Sequence, residues 1–165
     1  MITESTHREM DEALARVVEK TISGIGLKNQ ELSQDLIDSL YSYAYHFYQN
    51  GKYSEAKSFF RFLTLLNKDL PKYWMGLGAC DQMLKNYAEA IYSYNVAMVL
   101  NERDPYVYFV IADCYIADGH TEKGIEVLEE AVLLFGDDDK YKKIIAHIDV
   151  VRQAWDNQQL ENSDG

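Results

Sequence analysis

The 165-residue sequence has only two prolines, and no apolar run approaches the roughly 18 residues that would cross a membrane. Because proline is the residue that most often interrupts a helix, its scarcity leaves long stretches of this chain free to be helical. Without a long apolar run we expect no transmembrane helix. The first residues include acidic side chains and lack the apolar core of a secretion signal, which predicts that the protein stays in the cytoplasm.

Cysteine and histidine are also too few and too scattered to indicate a metal site or a disulfide framework. Cys80 and Cys114 lie far apart in the sequence, and the four histidines follow no metal-ligand spacing. The sequence contains no nucleophile-elbow motif, phosphate-binding loop or zinc-protease motif. We therefore expect neither an enzyme nor a cofactor nor a bound metal, and we expect both cysteines to be small buried thiols.

Basic residues are much fewer than acidic residues. Sixteen lysines and arginines stand against 27 aspartates and glutamates, which gives a formal net charge of −11. A surface with this balance repels a phosphate backbone, and no basic stripe stands out against it. We therefore predict no direct binding to nucleic acid.

What the sequence does contain is an internal repeat. Small residues recur where two antiparallel helices would touch, and large residues recur beside them, because close helix packing needs both. The matching columns are Leu40, Trp74 and Tyr108; Ala44, Gly78 and Ala112; Ala56, Ala90 and Gly124; and Phe60, Tyr94 and Leu128. We expect Trp74, Gly78, Ala90 and Tyr94 to be the core on which the fold depends. A helix–turn–helix unit of about 34 residues, the spacing of these columns, is the signature of the tetratricopeptide repeat.

We predict an all-α fold: three tandem tetratricopeptide repeats in a right-handed helical solenoid, with an N-terminal amphipathic helix and a C-terminal capping helix. The predicted divisions are residues 1–32 for the N-terminal helix and linker, 33–138 for the repeats, 139–157 for the capping helix and 158–165 for a flexible tail. The predicted repeat helices are 33–50, 53–67, 71–84, 86–101, 105–118 and 120–135. The boundary signals are Ser33 as an N-cap, Pro71 and Pro105 at helix starts, Gly51, Lys85 and Gly119 at turns, and the acidic triplet 137–139 before the last helix.

The concave surface of such a stack is lined by the first helix of each repeat. Its exposed positions carry tyrosine and methionine, more apolar than solvent positions usually are, which indicates a binding surface. Tyrosine also offers a hydroxyl to a peptide backbone. The candidate client-binding residues are Tyr41, Tyr45, Tyr48, Gln49, Met75, Ala79, Gln82, Met83, Tyr106 and Phe109, with Asp113 and Ile116 continuing the row. An alternative is that some of these tyrosines pack on the N-terminal helix folded into the groove.

The N-terminal segment carries its own apolar stripe at helical spacing, formed by Met10, Leu14, Val17 and Val18. No repeat needs this stripe to be complete. This apolar stripe could pack on the first repeat of its own chain or on a second subunit. We predict that these four residues form a weak homodimer interface.

Three stretches, residues 40–56, 73–82 and 104–109, resemble the class II chaperones of bacterial type III secretion systems. The resemblance covers residues 10 to 155 and rests on a tyrosine-rich first helix, the chain length and the acidic balance together. It implies a bacterial cytoplasmic chaperone that keeps two hydrophobic, pore-forming translocator proteins soluble and competent for secretion. It also implies that an extended client segment containing proline and leucine lies in the concave groove.

The third repeat departs from the pattern at Thr121 and Gly124, where the other repeats have Tyr and Ala, so we expect looser packing of its second helix.

Two other interpretations of the protein's function stay open beside the translocator chaperone. One is a generic tetratricopeptide scaffold for cytoplasmic protein–protein assembly, which would more often present a clamp of Lys or Arg; only Lys72 stands near the groove. The other, compatible with the chaperone, is a co-regulator of transcription that binds an activator protein.

Overall fold

The computed structural model describes residues 33–101 and 104–163. The proposed N-terminal helix and its residues Met10, Leu14, Val17 and Val18 lie outside this part of the chain. The described helices are α1 (Gln34–Gln49), α2 (Tyr53–Leu66), α3 (Pro71–Met83), α4 (Tyr87–Leu100), α5 (Pro105–Ala117), α6 (Thr121–Phe135) and α7 (Lys142–Ser163), with a short 3-10 helix at Asp139–Tyr141 before α7.

The helices form three antiparallel pairs, α1 with α2, α3 with α4 and α5 with α6, and each helix also packs on the next one along the chain. The three-repeat fold is therefore confirmed. Apolar residues from neighbouring pairs fill the space between them, so the core runs along the stack and not around one centre. None of the helices in the described ranges is long and apolar enough to cross a lipid bilayer.

The predicted boundary residues act as expected. Gly51 and Gly119 have φ values of +73° and +84°, and Lys85 occupies the same turn position with a φ of +62°. Pro71 and Pro105 begin α3 and α5, where the missing N–H costs no helical hydrogen bond. The hydroxyl of Ser33 accepts a hydrogen bond from the Leu36 amide at 3.3 Å.

Glycine brings the paired helices close together at two positions. A Cβ added to Gly78 would lie 2.8 Å from the Tyr94 ring, and one added to Gly124 would lie 2.9 Å from the Ala112 carbonyl oxygen. The expectation of looser packing in the third repeat was therefore wrong at Gly124. A larger residue at position 124 would also meet the Ile116 side chain, at 2.6 Å, so the two helices are in close contact here.

Trp74 is a second correction, since it is only half-buried. Its indole N–H donates to the Lys68 carbonyl at 2.7 Å, and its ring meets the exposed Tyr92 edge to face. The neighbouring Tyr73, only 1% exposed, lies in the core instead. Trp74 therefore braces the loop between α2 and α3, and it is not a central core residue.

The last helix caps the stack as predicted, but its bounds differ. The Asp138 carboxylate accepts from the Lys140 amide at 2.9 Å, and α7 then buries Ile145 and Ile148 against the third repeat. The helix continues to Ser163, so residues 158–163 are not the irregular tail that was expected. Their sequence contains Gln, Leu and Glu and no Gly or Pro, and therefore continues a helix readily.

Candidate functional site: the concave groove

The predicted groove residues lie on α1, α3 and α5, and none of them is buried. The exposed large side chains among them are Tyr45 and Tyr106, each 51% exposed, and Met83, which is 46% exposed. One of these three comes from each first helix. The groove therefore offers apolar surface along all three repeats.

The floor of the groove is tied together by the amide of Gln82. Its Oε1 accepts a hydrogen bond from the Tyr94 hydroxyl at 2.7 Å, and its Nε2 donates to the Asp113 carboxylate at 2.5 Å. These two bonds join α3 to α4 and to α5. Gln82 was predicted to contact a client; its amide fixes the position of its neighbours and still has a second N–H and a second oxygen lone pair, so client contact stays a prediction.

Two tyrosines of this region, Tyr48 and Tyr94, have raised pKa values. Burial raises the pKa of Tyr48, and the nearby Cys80, Tyr53, Tyr106 and Tyr45 raise it further. The pKa of Tyr94 is raised chiefly by burial and then by Cys114, Tyr106 and Tyr48. Tyr48, Tyr94 and Tyr106 belong to three successive repeats, and the pKa of each of the first two is raised in part by Tyr106 of the third repeat. With these raised pKa values Tyr48 and Tyr94 are neutral near pH 7, and the Tyr94 hydroxyl uses its proton in the bond to Gln82.

One end of the groove is formed by Tyr41, which contributes partly to the core. Its ring lies 6.0 Å from that of Phe60 and 5.8 Å from that of Tyr73. The Lys72 ammonium lies 4.6 Å from the centroid of the Tyr41 ring, a cation–π distance. This leaves Tyr41 less free to adapt to a ligand than Tyr45.

The other end is formed by Phe109, which stacks on Tyr106 at 6.4 Å and meets the His147 ring of α7 at 5.0 Å. Sequence reasoning assigned α7 to capping alone and did not include His147. Its neighbours Ile144 and Ile148 indicated the buried face of α7, and His147 flanks that face. The capping helix thus limits the groove at the third repeat.

The remaining candidates divide between core and surface. Met75 packs against the middle core cluster, Ala79 is half-buried, and Gln49 is exposed at the end of α1. The candidate residues thus lie at half-buried or exposed positions of α1, α3 and α5. Contact of any of these residues with a client stays a prediction.

Comparison of the sequence with those of known proteins identifies relatives of this chain. The tetratricopeptide repeat family model matches residues 37–70 and 71–104. The sequence is 31% identical over 124 residues to the low calcium response locus protein H of Yersinia pestis, covering 75% of this chain and 74% of that protein. It is 30% identical over 153 residues to the chaperone protein SicA of Salmonella typhimurium, covering 92% and 93%.

A solved structure shares both the fold and part of the sequence. It is the Yersinia enterocolitica type III secretion chaperone SycD in complex with a peptide of the translocator YopD. The TM-score is 0.71 at 29% identity, and the match covers 79% of this chain and 99% of that one. In that relative a translocator peptide is therefore a known ligand.

Proposed function

This chain belongs to the class II translocator chaperones of bacterial type III secretion, and we propose from that premise that its concave groove binds hydrophobic translocator proteins. Such clients aggregate or insert into membranes if their apolar segments are left uncovered. A chaperone that holds them before export acts where they are synthesised. The proposed place of action is therefore the bacterial cytoplasm, and the proposed role is binding without catalysis.

The observation that carries the proposal is the exposure of Tyr45, Met83 and Tyr106, one large side chain on the first helix of each of three successive repeats. An extended client segment has unpaired backbone N–H and C=O groups, and the exposed tyrosine hydroxyls can form hydrogen bonds with them. Its alternate side chains would enter the spaces beside Tyr45, Met83 and Tyr106, whose rings and thioether adapt to proline and leucine. An extended segment that spans the groove thus satisfies both kinds of contact.

The groove also argues against the scaffold interpretation. Lys72 is the sole Lys or Arg within α1, α3 and α5, and its ammonium lies over the Tyr41 ring. One lysine in this position does not provide the pair of cations that would clamp a carboxylate. Recognition of an apolar segment fits the groove better than recognition of a charged terminus.

Truncation of exposed groove residues tests the proposal. We expect Tyr45→Ala and Met83→Ala each to weaken binding of a peptide from the YopD translocator roughly 5–30-fold, the loss of one anchor contact of about 1–2 kcal/mol. The melting temperature should barely change, because both side chains are about half exposed. The binding constant is measured by calorimetry and the melting temperature by circular dichroism. Co-expression with full-length YopD then shows whether the client stays soluble.

Tyr92→Ala is the matched control, since Tyr92 is 64% exposed but lies on α4, a second helix. It should leave peptide affinity unchanged. If Tyr45→Ala and Met83→Ala bind as tightly as the parent while Tyr92→Ala does not, the client uses the convex face and the groove assignment is wrong.

A further inference from the structure

A cavity of about 560 Å³ opens between α2 and α4, the second helices of the first two repeats. Both helices pack on α3, which therefore forms the floor between them. The large apolar side chains that line the cavity are Leu65 on α2, Trp74 and Leu77 on α3, and Tyr92 on α4. None of the lining residues belongs to the predicted groove, so the cavity is a separate feature of the fold.

The floor of the cavity contains a buried carboxylate with one oxygen still available. Asp81 is only 2% exposed, and its Oδ1 lies 2.6 Å from the Lys57 ammonium and accepts a hydrogen bond from the Asn86 side-chain amide at 3.1 Å. Both contacts are made by Oδ1, and no hydrogen bond from the described residues reaches Oδ2. Among the buried and half-buried side chains of the described ranges, the polar atom that is both fully enclosed and unpaired is Nε of Arg152. Asp81 Oδ2 therefore still contacts open space, and the open space that Asp81 lines is the cavity.

The equivalent positions of the next repeat are filled with apolar and aromatic side chains. One repeat further along the chain, the positions of Lys57, Thr64, Asp81 and Ser93 hold Ile91, Met98, Tyr115 and Val127. These four later residues pack against a core cluster of α4 and α5. In the cavity, Thr64, Asp81 and Ser93 are at most 7% exposed, although the burial of polar groups destabilises a fold unless they are well paired. A polar lining that core packing does not require is typical of a ligand site.

The lining determines which ligand suits the cavity. A carboxylate oxygen accepts hydrogen bonds, so the ligand must present an N–H or O–H group to Asp81 Oδ2. A second cation is unsuitable, because Lys57 already pairs with this carboxylate and Arg61 lines the same cavity. An aromatic ring with a neutral donor, the indole of tryptophan or the phenol of tyrosine, fits both the carboxylate and the apolar walls.

The aromatic wall and the rim of the cavity suit a protein partner. The Trp74 indole N–H donates to the Lys68 carbonyl, and the Trp74 ring lies 6.3 Å from that of Tyr92, edge to face, so the wall is held in place by its own contacts. Leu65 is 70% exposed and Tyr92 is 64% exposed, so apolar surface continues around the mouth. A free small molecule would leave this rim in water, whereas a partner protein covers it, and tryptophan and tyrosine are frequent anchors of such contacts.

We propose that this cavity is a second binding site, which receives a tryptophan or tyrosine side chain of a partner protein. The aromatic ring packs against Trp74, Leu77 and Tyr92, and its N–H or O–H group donates to Asp81 Oδ2. The partner's surface beside this anchor covers Leu65 and the rest of the rim. Because the cavity and the groove share no residue, the chaperone can hold a client and this partner at the same time.

A matched pair of probes tests the hydrogen bond to Asp81. Indole is the ligand, and 1-methylindole, which has the same ring without the N–H group, is its control. We expect indole to shift the NMR signal of the Trp74 indole N–H in the full-length protein with a dissociation constant on the order of 1 mM, and 1-methylindole to bind about fivefold or more weakly. Trp155→Phe removes the other indole signal and so assigns the Trp74 signal. No shift of the Trp74 signal, or equal binding of the two compounds, would overturn the proposal.

Two exposed tyrosines, one in each site, separate the cavity from the groove. Tyr92 is 64% exposed and Tyr45 is 51% exposed, so both alanine variants should fold. Tyr92→Ala should weaken indole binding about fivefold or more and leave the affinity for the YopD peptide unchanged, and Tyr45→Ala should do the opposite. If Tyr45→Ala loses indole binding while Tyr92→Ala keeps it, indole binds in the groove and the cavity proposal is wrong. Since the two ligands are measured separately, either site can fail while the other stands.

A third probe distinguishes a protein side chain from a free small molecule. N-acetyltryptophanamide carries the same indole with a peptide bond on each side of its residue. It should bind at least as tightly as indole and shift the same Trp74 signal, because the added groups lie against the rim. If indole binds and N-acetyltryptophanamide does not, the cavity holds a small molecule and a protein partner is excluded.

Discussion

At the scale of single residues, the turn between α3 and α4 carries backbone strain that its equivalents avoid. Lys85 has a φ of +62° where the other two repeats have glycine, and a residue with a Cβ pays roughly 1 kcal/mol in this region. We expect Lys85→Gly to raise the free energy of unfolding by about 0.5–1 kcal/mol, with part of the gain offset by the greater freedom of glycine in the unfolded chain. Urea denaturation followed by circular dichroism measures the change.

The reciprocal substitution is the control for Lys85→Gly. Gly119→Ala places a Cβ at a φ of +84° with no neighbouring atom to clash with, so any loss of stability comes from the backbone alone. We expect a loss of about 1 kcal/mol. A Lys85→Gly variant no more stable than the parent would show that this turn is not strained.

The two buried thiols predict how stability depends on pH. Desolvation by burial raises the pKa of Cys80 and of Cys114 from the ordinary 9.0 to about 12. An acid whose pKa is raised in the folded state ionises first in the unfolded chain. Its ionisation therefore does not affect the free energy of unfolding below pH 9, and it lowers that free energy as the pH rises from 9 toward 12. At pH 10.5 the raised pKa of each thiol should lower the free energy of unfolding by on the order of 1–2 kcal/mol.

Urea unfolding at pH 8 and pH 10.5 checks this expectation. The parent should lose more stability between the two pH values than a variant with Cys80→Ala and Cys114→Ala, whatever the variant costs at pH 8. Equal losses in the two proteins would mean that the thiols titrate normally in the folded state.

Predictions for single residues were correct where the repeat offers one residue for a contact between two helices. They were wrong where two adjacent residues could each have been buried. The period identified Gly78 and Tyr94 as contacting positions, and the structure places them together. It could not tell whether Trp74 or Tyr73 lies in the core, because both are large aromatic residues and the repeat period alone does not fix which side of α3 faces inward. Nor could it pair Lys57 with the buried Asp81 at 2.6 Å, since that ion pair joins helices of two different repeats.

At the scale of helices, the ends of the repeat units were predictable because proline and glycine mark them chemically. Pro71 and Pro105 start helices, and positive-φ residues separate the members of each pair. The end of α7 carries no such mark. A polar composition was taken there as a sign of irregular structure, whereas Gln158, Gln159 and Glu161 are compatible with a helix that extends to Ser163.

The N-terminal segment carries the prediction about assembly. If its apolar face mediates the proposed weak homodimer, Leu14→Asp should shift the sedimentation profile at high protein concentration toward monomer, since a charge in an apolar interface is costly to desolvate. Glu12→Asp, which keeps the charge and stays off the stripe of Met10, Leu14, Val17 and Val18, is the control. A dimer fraction that Leu14→Asp leaves unchanged would place the interface elsewhere.

At the scale of the whole molecule, the accessible positions of the first helices were predictable, whereas the contacts at the two ends of the proposed groove were not. The repeat period specifies which side of each first helix turns inward, so Tyr45, Met83 and Tyr106 could be selected from sequence. The contacts of Lys72 with Tyr41 and of His147 with Phe109 depend on how the loops and the capping helix close on the stack. Such long-range packing has no signature within one repeat.

Net charge is a property of the whole molecule, and it bears on the proposed co-regulation of transcription. With a net charge of −11, the chaperone would release few counterions from DNA and would meet a repulsive potential, so any role in gene activation should be indirect and pass through an activator protein. We expect the purified protein to leave a promoter fragment unshifted in a gel mobility assay at physiological salt. With the activator added, a further retardation of the activator–DNA complex should appear, and saturating the groove with translocator peptide should abolish it if activator and client share the groove. Specific retardation of DNA by the chaperone alone would contradict the charge argument, because a protein of this charge could do so only through a local basic surface that its composition does not indicate.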